Sequence, residues 1–162
     1  MNIKQDFAKG KEGEDIVKAL LSKAGIGCTD NKVKSNLSYY DMSSSSENIK
    51  FTVEVKNDLY AKKSGNIAIE TYNPVSKKKS GISVTKSDLW AHIALNQVWI
   101  ANTEALKDYI DNNKPLRTIN RAGDGNATIM LYKANKIFKD CFFRIDNLSA
   151  EKIYSTVTSL LE

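Results

Sequence analysis

Phe51-Thr52-Val53-Glu54-Val55-Lys56-Asn57 is the stretch on which the fold turns. Phe51, Val53 and Val55 alternate with Thr52, Glu54 and Lys56, the period of a β-strand with one apolar face. A carboxylate and an ammonium therefore leave the same face, side by side. Asp41 lies thirteen positions before Glu54, after the aromatic pair Tyr39-Tyr40. Ser43-Ser44-Ser45-Ser46-Glu47-Asn48 reads as a turn by composition. The expected unit is an antiparallel hairpin, Leu37–Met42 against Ile49–Asn57, with Asp41 nearer the turn than Glu54 and meeting it only diagonally, or through a bulge that shifts the register. Two carboxylates and a lysine gathered in this way suit a hard divalent cation beside a phosphate. Glu-x-Lys on a strand is ordinarily a solvated face. Here the apolar opposite face, the Asp at hairpin distance and a third carboxylate on the first helix favour a site.

That helix is expected from about Gln5 to Ala24. Phe7, Gly10, Glu14, Val17, Leu21 and Ala24 recur at spacings of three and four, and Gly13, Ile16 and Leu20 widen the stripe. Glu14 thus falls on or beside the apolar face, where an unpartnered carboxylate is costly. Gly10 and Gly13 each disfavour a helix by about 1 kcal/mol relative to Ala. Their presence points to a close approach of the backbone to a sheet or a phosphate. Gly25 and Gly27 end the helix.

Ile26–Val33 reads as a first strand and Asn31–Asn36 as a polar connection. Beyond the hairpin, Asn57–Ser64 reads as a polar loop and Gly65–Tyr72 as a strand broken by Pro74. Glu70 on that strand is an accessory metal-group candidate or a solvent position. Ser76-Lys77-Lys78-Lys79-Ser80-Gly81 is a basic loop, in which Lys77, Lys78 and Lys79 suit phosphate contacts or simply solubilise the surface. Lys86 and Asp88 follow as flanking candidates. Leu89–Leu95 and Val98–Ala101 read as strands, and His92 as a core or edge histidine rather than a base. Thr103 is the expected cap of a helix Glu104–Asn112. Pro115–Gly125 reads as irregular, Ala127–Lys133 as a strand, Ala134–Phe138 as a short helix and Cys141–Ile145 as a strand. Ser149 is the expected cap of a last helix, Ala150–Leu161.

The chain has 162 residues, 41% hydrophobic and 27% charged, which fits one globular domain over 1–162 with a sizeable core. No apolar run is long enough to span a membrane, and the N-terminus lacks the apolar core of a signal peptide. Cys28 and Cys141 lack metal-ligand spacing and read as reduced core residues, which fits a cytoplasmic protein. The single histidine excludes histidine-rich metal sites and argues against a Ser-His-Asp hydrolase. A net charge of +5 favours an anionic partner.

Helix with Glu14, strand, Asp41-bearing strand, then strand with Glu54-Val55-Lys56: in this order the chain resembles the PD-(D/E)xK nuclease superfamily over roughly residues 7–95. Tyr40 stands where that motif has proline. The plan is similar to small phage and archaeal Holliday-junction-resolving enzymes and to homing or restriction-type endonucleases. The resemblance implies an α/β fold with a restriction-endonuclease-like core, a central mixed sheet flanked by helices. It implies hydrolysis of a DNA phosphodiester with Mg²⁺, which Mn²⁺ would replace, and a homodimer in the host cytoplasm if the protein is phage-encoded. Glu14, Asp41, Glu54 and Lys56 are then the catalytic residues. Asp41, Glu54, the carbonyl of Val55 and Glu14 would hold metal. Lys56 would orient or deprotonate the attacking water, or stabilise charge. A junction-selective enzyme, a sequence-selective one and a non-catalytic nucleic-acid-binding module with the same fold are the competing readings, with a small regulatory protein as the remaining class.

Overall fold

The computed structural model describes residues 3–31, 39–122 and 127–162. The side chain of Phe7, the expected connection at 32–36 and the expected strand start at 37–38 lie outside the described residues.

Helix α1 spans Ile3–Lys23. Gly13, Val17 and Leu21, four apart, are buried against the sheet, whereas Gly10 is exposed and leaves the expected stripe. Gly25 (φ +77°) ends the helix. The N–H of Ile26 donates to the Leu21 carbonyl (3.0 Å) and that of Gly25 to Ser22 (2.9 Å), a Schellman motif that needs the left-handed residue between them.

The central sheet runs in the order β1-β2-β3-β6-β7-β10: Gly27–Asp30, Met42–Ser45, Lys50–Asn57, Leu89–Ala94, Gln97–Asn102 and Phe143–Arg144. All neighbours are antiparallel except β3 and β6, which are parallel, so the sheet is mixed as expected. One face packs on α1 and on α5 (Ala150–Leu161): Val53, Val55, Leu89, Ala91 and Ile100 meet Val17, Leu21, Ile153 and Val157. The opposite face carries Trp90, Ala94 and Ala101. It is covered by α3 (Thr103–Asn112), α4 (Ala134–Cys141) and a second, four-stranded antiparallel sheet that the sequence pattern does not announce. That sheet has the order β5-β4-β9-β8, comprising Lys78–Lys79, Asn66–Asn73, Ala127–Lys133 and Arg117–Ala122. Every residue of β6 is therefore buried, as befits a strand covered on both faces. Among the described residues no helix is long and apolar enough to cross a membrane.

Several boundaries differ from expectation. The serines form β2 rather than a turn. Met42 and Ser44 point inward while Ser43 and Ser45 face out, and pairing with both β1 and β3 overrides their turn composition. The turn lies later, closed by Ser46 N–H to Ile49 C=O (2.9 Å). Asn102, not Thr103, caps α3, its side chain accepting from Ala105 N–H (3.0 Å). The expected irregular segment contains β8, held by pairing with β9. The supposed loop after β3 contains a short helix α2, Ala61–Ser64. Lys78 and Lys79 pair with Asn73 and Tyr72 as β5, and Cys141 ends α4 instead of starting a strand. Ser149 caps α5 as expected, accepting from Lys152 N–H (3.4 Å).

Candidate active site

Moving the serines into β2 shifts the hairpin register. Met42 pairs with Val53, so Asp41 stands across from Glu54 rather than near the turn. The Asp41 N–H donates to the Val53 carbonyl (3.0 Å), and its Oδ2 accepts from the Val55 N–H (2.7 Å). The expected diagonal mismatch is thereby corrected: the aspartate is fastened to the backbone on either side of Glu54. On β3, Lys56 Nζ donates to Glu54 Oε1 at 2.6 Å. The Glu54 side chain is 13% exposed and that of Lys56 36%.

Lys56 pairs in register with His92 and Glu54 with Trp90 on the parallel neighbour β6. Lys56 Nζ lies 5.6 Å from the Trp90 ring centroid, a cation–π distance. The site sits toward the carboxyl ends of the only parallel pair among the described strands, where open α/β sheets place their ligands.

Three carboxylates, Glu54, Asp41 and Glu70, act electrostatically on this lysine, and Asp41 acts on Glu14 as well. Burial, then the neighbouring Asp41 and Glu70 charges, push the Glu54 carboxyl above its ordinary value although Lys56 opposes this. Burial and then the Asp41 charge likewise raise Glu14. Burial would lower the Lys56 ammonium, but Glu54, Asp41 and Glu70 outweigh it and the net shift is upward. Lys56 is thus a cation held by acidic neighbours. Glu14 is half-buried, with Lys11 Nζ 3.8 Å from its Oε2; Lys11 is turned mainly to Asp15 (2.9 Å) and Asp30 (3.0 Å).

Glu70 comes from β4 in the second sheet. A bulge follows it, between Glu70 and Tyr72, and Gly81 (φ +54°) closes over its backbone so tightly that a Cβ there would sit 2.3 Å from the Glu70 carbonyl oxygen. Asp88 is engaged elsewhere: its Oδ2 accepts from the N–H and hydroxyl of Thr52 (2.7 and 2.8 Å), clamping the start of the parallel pair. Lys77, Lys78 and Lys79 are exposed on the β4–β5 hairpin. Lys86 is exposed and stacked over Tyr39 (4.3 Å), while its N–H and the Thr85 hydroxyl bind the Tyr39 carbonyl (3.0 and 2.8 Å). The basic candidate is thereby fixed just before Asp41.

Asn57 is a site-shaping residue to which the strand pattern alone assigns no role. Its amide donates to the Lys9 carbonyl (3.0 Å) and its Cβ would lie 3.1 Å from a Cβ on Gly13, tying α1 to the end of β3. The signal was present as the polar residue directly after Glu-x-Lys.

No three His, Cys, Asp or Glu side chains among the described residues are arranged to hold a metal ion by themselves. What the site offers is a smaller set of hard donors, Asp41 and Glu54 with the Val55 carbonyl, plus Glu14 nearby. Carboxylates kept together against their mutual repulsion fit a cation that keeps most of its water, as Mg²⁺ does with one or two protein carboxylates.

The fold is similar to that of a bacterial homing endonuclease, I-Ssp6803I, with a TM-score of 0.51 and 18% sequence identity over 63% of this chain and 72% of that one. At that identity the likeness is one of fold. No family model matches the chain, and no curated protein matches it in sequence.

Proposed function

We propose that this protein is a metal-dependent DNA endonuclease of the PD-(D/E)xK type, hydrolysing phosphodiester bonds at Asp41, Glu54 and Lys56 with Glu14 beside them. The observation that carries the reading is the fastening of Asp41 across from the Glu54–Lys56 pair, through its bond to Val55 N–H. The likeness in fold to a homing endonuclease supports it. A sequence-selective, homing-type enzyme fits that likeness about as well as a junction-selective one.

Asp41, Glu54 and the Val55 carbonyl would hold Mg²⁺ or Mn²⁺, with Glu14 placed to hold a second ion or a water. When bound, the cation supplies charge neutralisation at the phosphate and a more acidic water. The chain's own residues do the rest. Asp41 is held by backbone bonds, so its carboxylate is oriented before substrate arrives. Lys56 presents an ammonium to the phosphate oxygens and stabilises charge that develops there. Acting instead as a base, it would first have to give up its proton. Lys86, and Lys77 to Lys79 on the hairpin, would contact the phosphate backbone. Cutting both strands calls for two copies of the site, hence a homodimer.

A panel of linear duplex, single strand, four-way junction and long mixed-sequence plasmid tests this, each with Mg²⁺ and with EDTA. Metal-dependent cutting at discrete plasmid sites supports the homing-type reading, and cutting confined to the junction supports the junction-selective one. Equal DNA binding without cutting, in wild type and in Glu54→Ala and Lys56→Ala, would leave a non-catalytic binding module.

A further inference from the structure

Trp90 is fully buried on β6, a strand otherwise filled mostly by aliphatic side chains. Tryptophan is seldom buried completely, and its indole N–H then needs an acceptor. The acceptor lies two residues along the same strand: Nε1–H donates to His92 Nδ1 (3.3 Å). His92 is fully buried too, and with Nδ1 accepting, its ring proton sits on Nε2, 3.5 Å from Asp58 Oδ2. That contact is too long for a good hydrogen bond and acts electrostatically. The imidazole also packs edge-on to Phe138 and Phe142, whose ring centroids are 6.2 and 6.3 Å from its own. Asp58 anchors these contacts to backbone. Its N–H donates to the Ile93 carbonyl (2.8 Å), and its carboxylate accepts from the Ala61 and Ala68 N–H groups. Burial would raise the Asp58 carboxyl, but His92 and the two backbone donors hold it below the usual range.

This network fixes one ring, and Lys56 lies over the face of that ring. The parallel register sets Glu54 beside Trp90 and Lys56 beside His92, so all four side chains leave the same face of the sheet. Lys56 Nζ is 5.6 Å from the Trp90 centroid and 2.6 Å from Glu54 Oε1. A lysine on its four-carbon stem has many rotamers, and these two contacts select one. The two are not equivalent. Glu54 is assigned above to the metal, and a carboxylate shared with a divalent cation attracts an ammonium less. The ring face has no second duty.

We infer that Trp90 is a positioning residue for Lys56: its indole face, oriented by His92 and Asp58, holds the ammonium at the reacting phosphate while Glu54 serves the metal. The inference rests on the nuclease reading and deepens it. Being fully buried, Trp90 acts through Lys56 and not on DNA.

Trp90→Ala would hollow the core and need not fold, so the test alters the charge distribution of the ring and keeps its shape. Tryptophan carrying one, two or three fluorines is placed at position 90 alone. Fluorine draws electron density from the ring face and weakens its attraction for a cation. Plasmid nicking in Mg²⁺ should lose kcat stepwise with each fluorine, by about threefold to tenfold in all, the size of one cation–π contact. KM should hold, because the ammonium acts on charge that develops in the transition state. A ring that only fills the core would give no such gradient. The contact itself is read without cutting. Fluorination should lower the melting temperature of the wild type and leave that of Lys56→Met, which keeps an unbranched stem without the charge, unchanged. Undiminished kcat at three fluorines, or an equal fall in melting temperature in both backgrounds, would overturn the role of Trp90 and leave the nuclease reading intact. Failure of the wild type to cut plasmid would remove the nuclease reading and this role together, with the difference in melting temperature still reporting the contact.

Discussion

Gly10 and Gly13 lie on the same helix, one turn apart, and replacing each by alanine should have opposite consequences. Among the described residues, a Cβ at Gly10 would meet nothing within 4 Å. Gly10→Ala therefore collects the helix-propensity gain, about 1 kcal/mol. A Cβ at Gly13 would lie 3.1 Å from Asn57 Cβ and 3.3 Å from Ile93 Cδ1. Neither neighbour yields freely. Asn57 is held by its bond to the Lys9 carbonyl and Ile93 is 9% exposed in the core. Overpacking of this kind costs ~1–3 kcal/mol and cancels or exceeds the same propensity gain. The two variants should differ by at least about 1 kcal/mol, or ~2–4 °C in melting temperature for a chain of this size. Thermal and urea unfolding of wild type and both variants read this directly. Equal stabilisation by the two alanines would refute the close approach of α1 to the end of β3, and with it the placement of Glu14 beside Asp41.

Asp58 accepts from the Ala61 N–H (3.0 Å) and the Ala68 N–H (2.9 Å), fixing the turn after β3; Asp58→Ala should cost about 3–6 kcal/mol in urea unfolding, since two charge-assisted bonds worth roughly 1.5–3 kcal/mol each are lost, and a loss below about 1 kcal/mol would contradict these bonds. Glu14 gives a prediction with a definite sign. Its carboxyl is raised in the folded protein, so protonation favours the fold, and that contribution is lost as pH rises through the folded value. Glu14→Gln, always neutral, should therefore be more stable than wild type at pH 7, and the advantage should fade as pH falls below the ordinary glutamate value of 4.5. An advantage that grows toward low pH would reverse the sign and discard the account of Glu14. Metal binding is readable without catalysis: Mn²⁺ at one hundred times its dissociation constant should stabilise the fold by about 2.7 kcal/mol, and melting curves of Asp41→Ala should show no such effect.

The parts of the site that lie on one element were legible in the sequence. The alternation in β3 places Glu54 and Lys56 on one face whatever the partner strand does, and Val17 and Leu21 mark the buried side of α1 in the same way. What depends on partners was not legible. Composition makes Ser43–Ser46 a turn, yet strands on both sides draw the serines into β2, and the register that results carries Asp41 across from Glu54. Gly10 and Gly13 are alike in sequence and differ only in what lies opposite. Arg117–Ala122 is too polar to read as a strand; β9 makes it one. Glu70 approaches the site only because β4 belongs to a second sheet, whose pairings join residues far apart in the chain.

Nicking of supercoiled plasmid in Mg²⁺ by wild type, Asp41→Ala and Lys56→Ala, each first shown to be folded by its melting curve, tests the central claim most directly. The account predicts cutting by wild type, its abolition by EDTA, and a loss of several orders of magnitude in both variants. Undiminished cutting in the two variants, or none by wild type on any plasmid carrying diverse sequence, would contradict it.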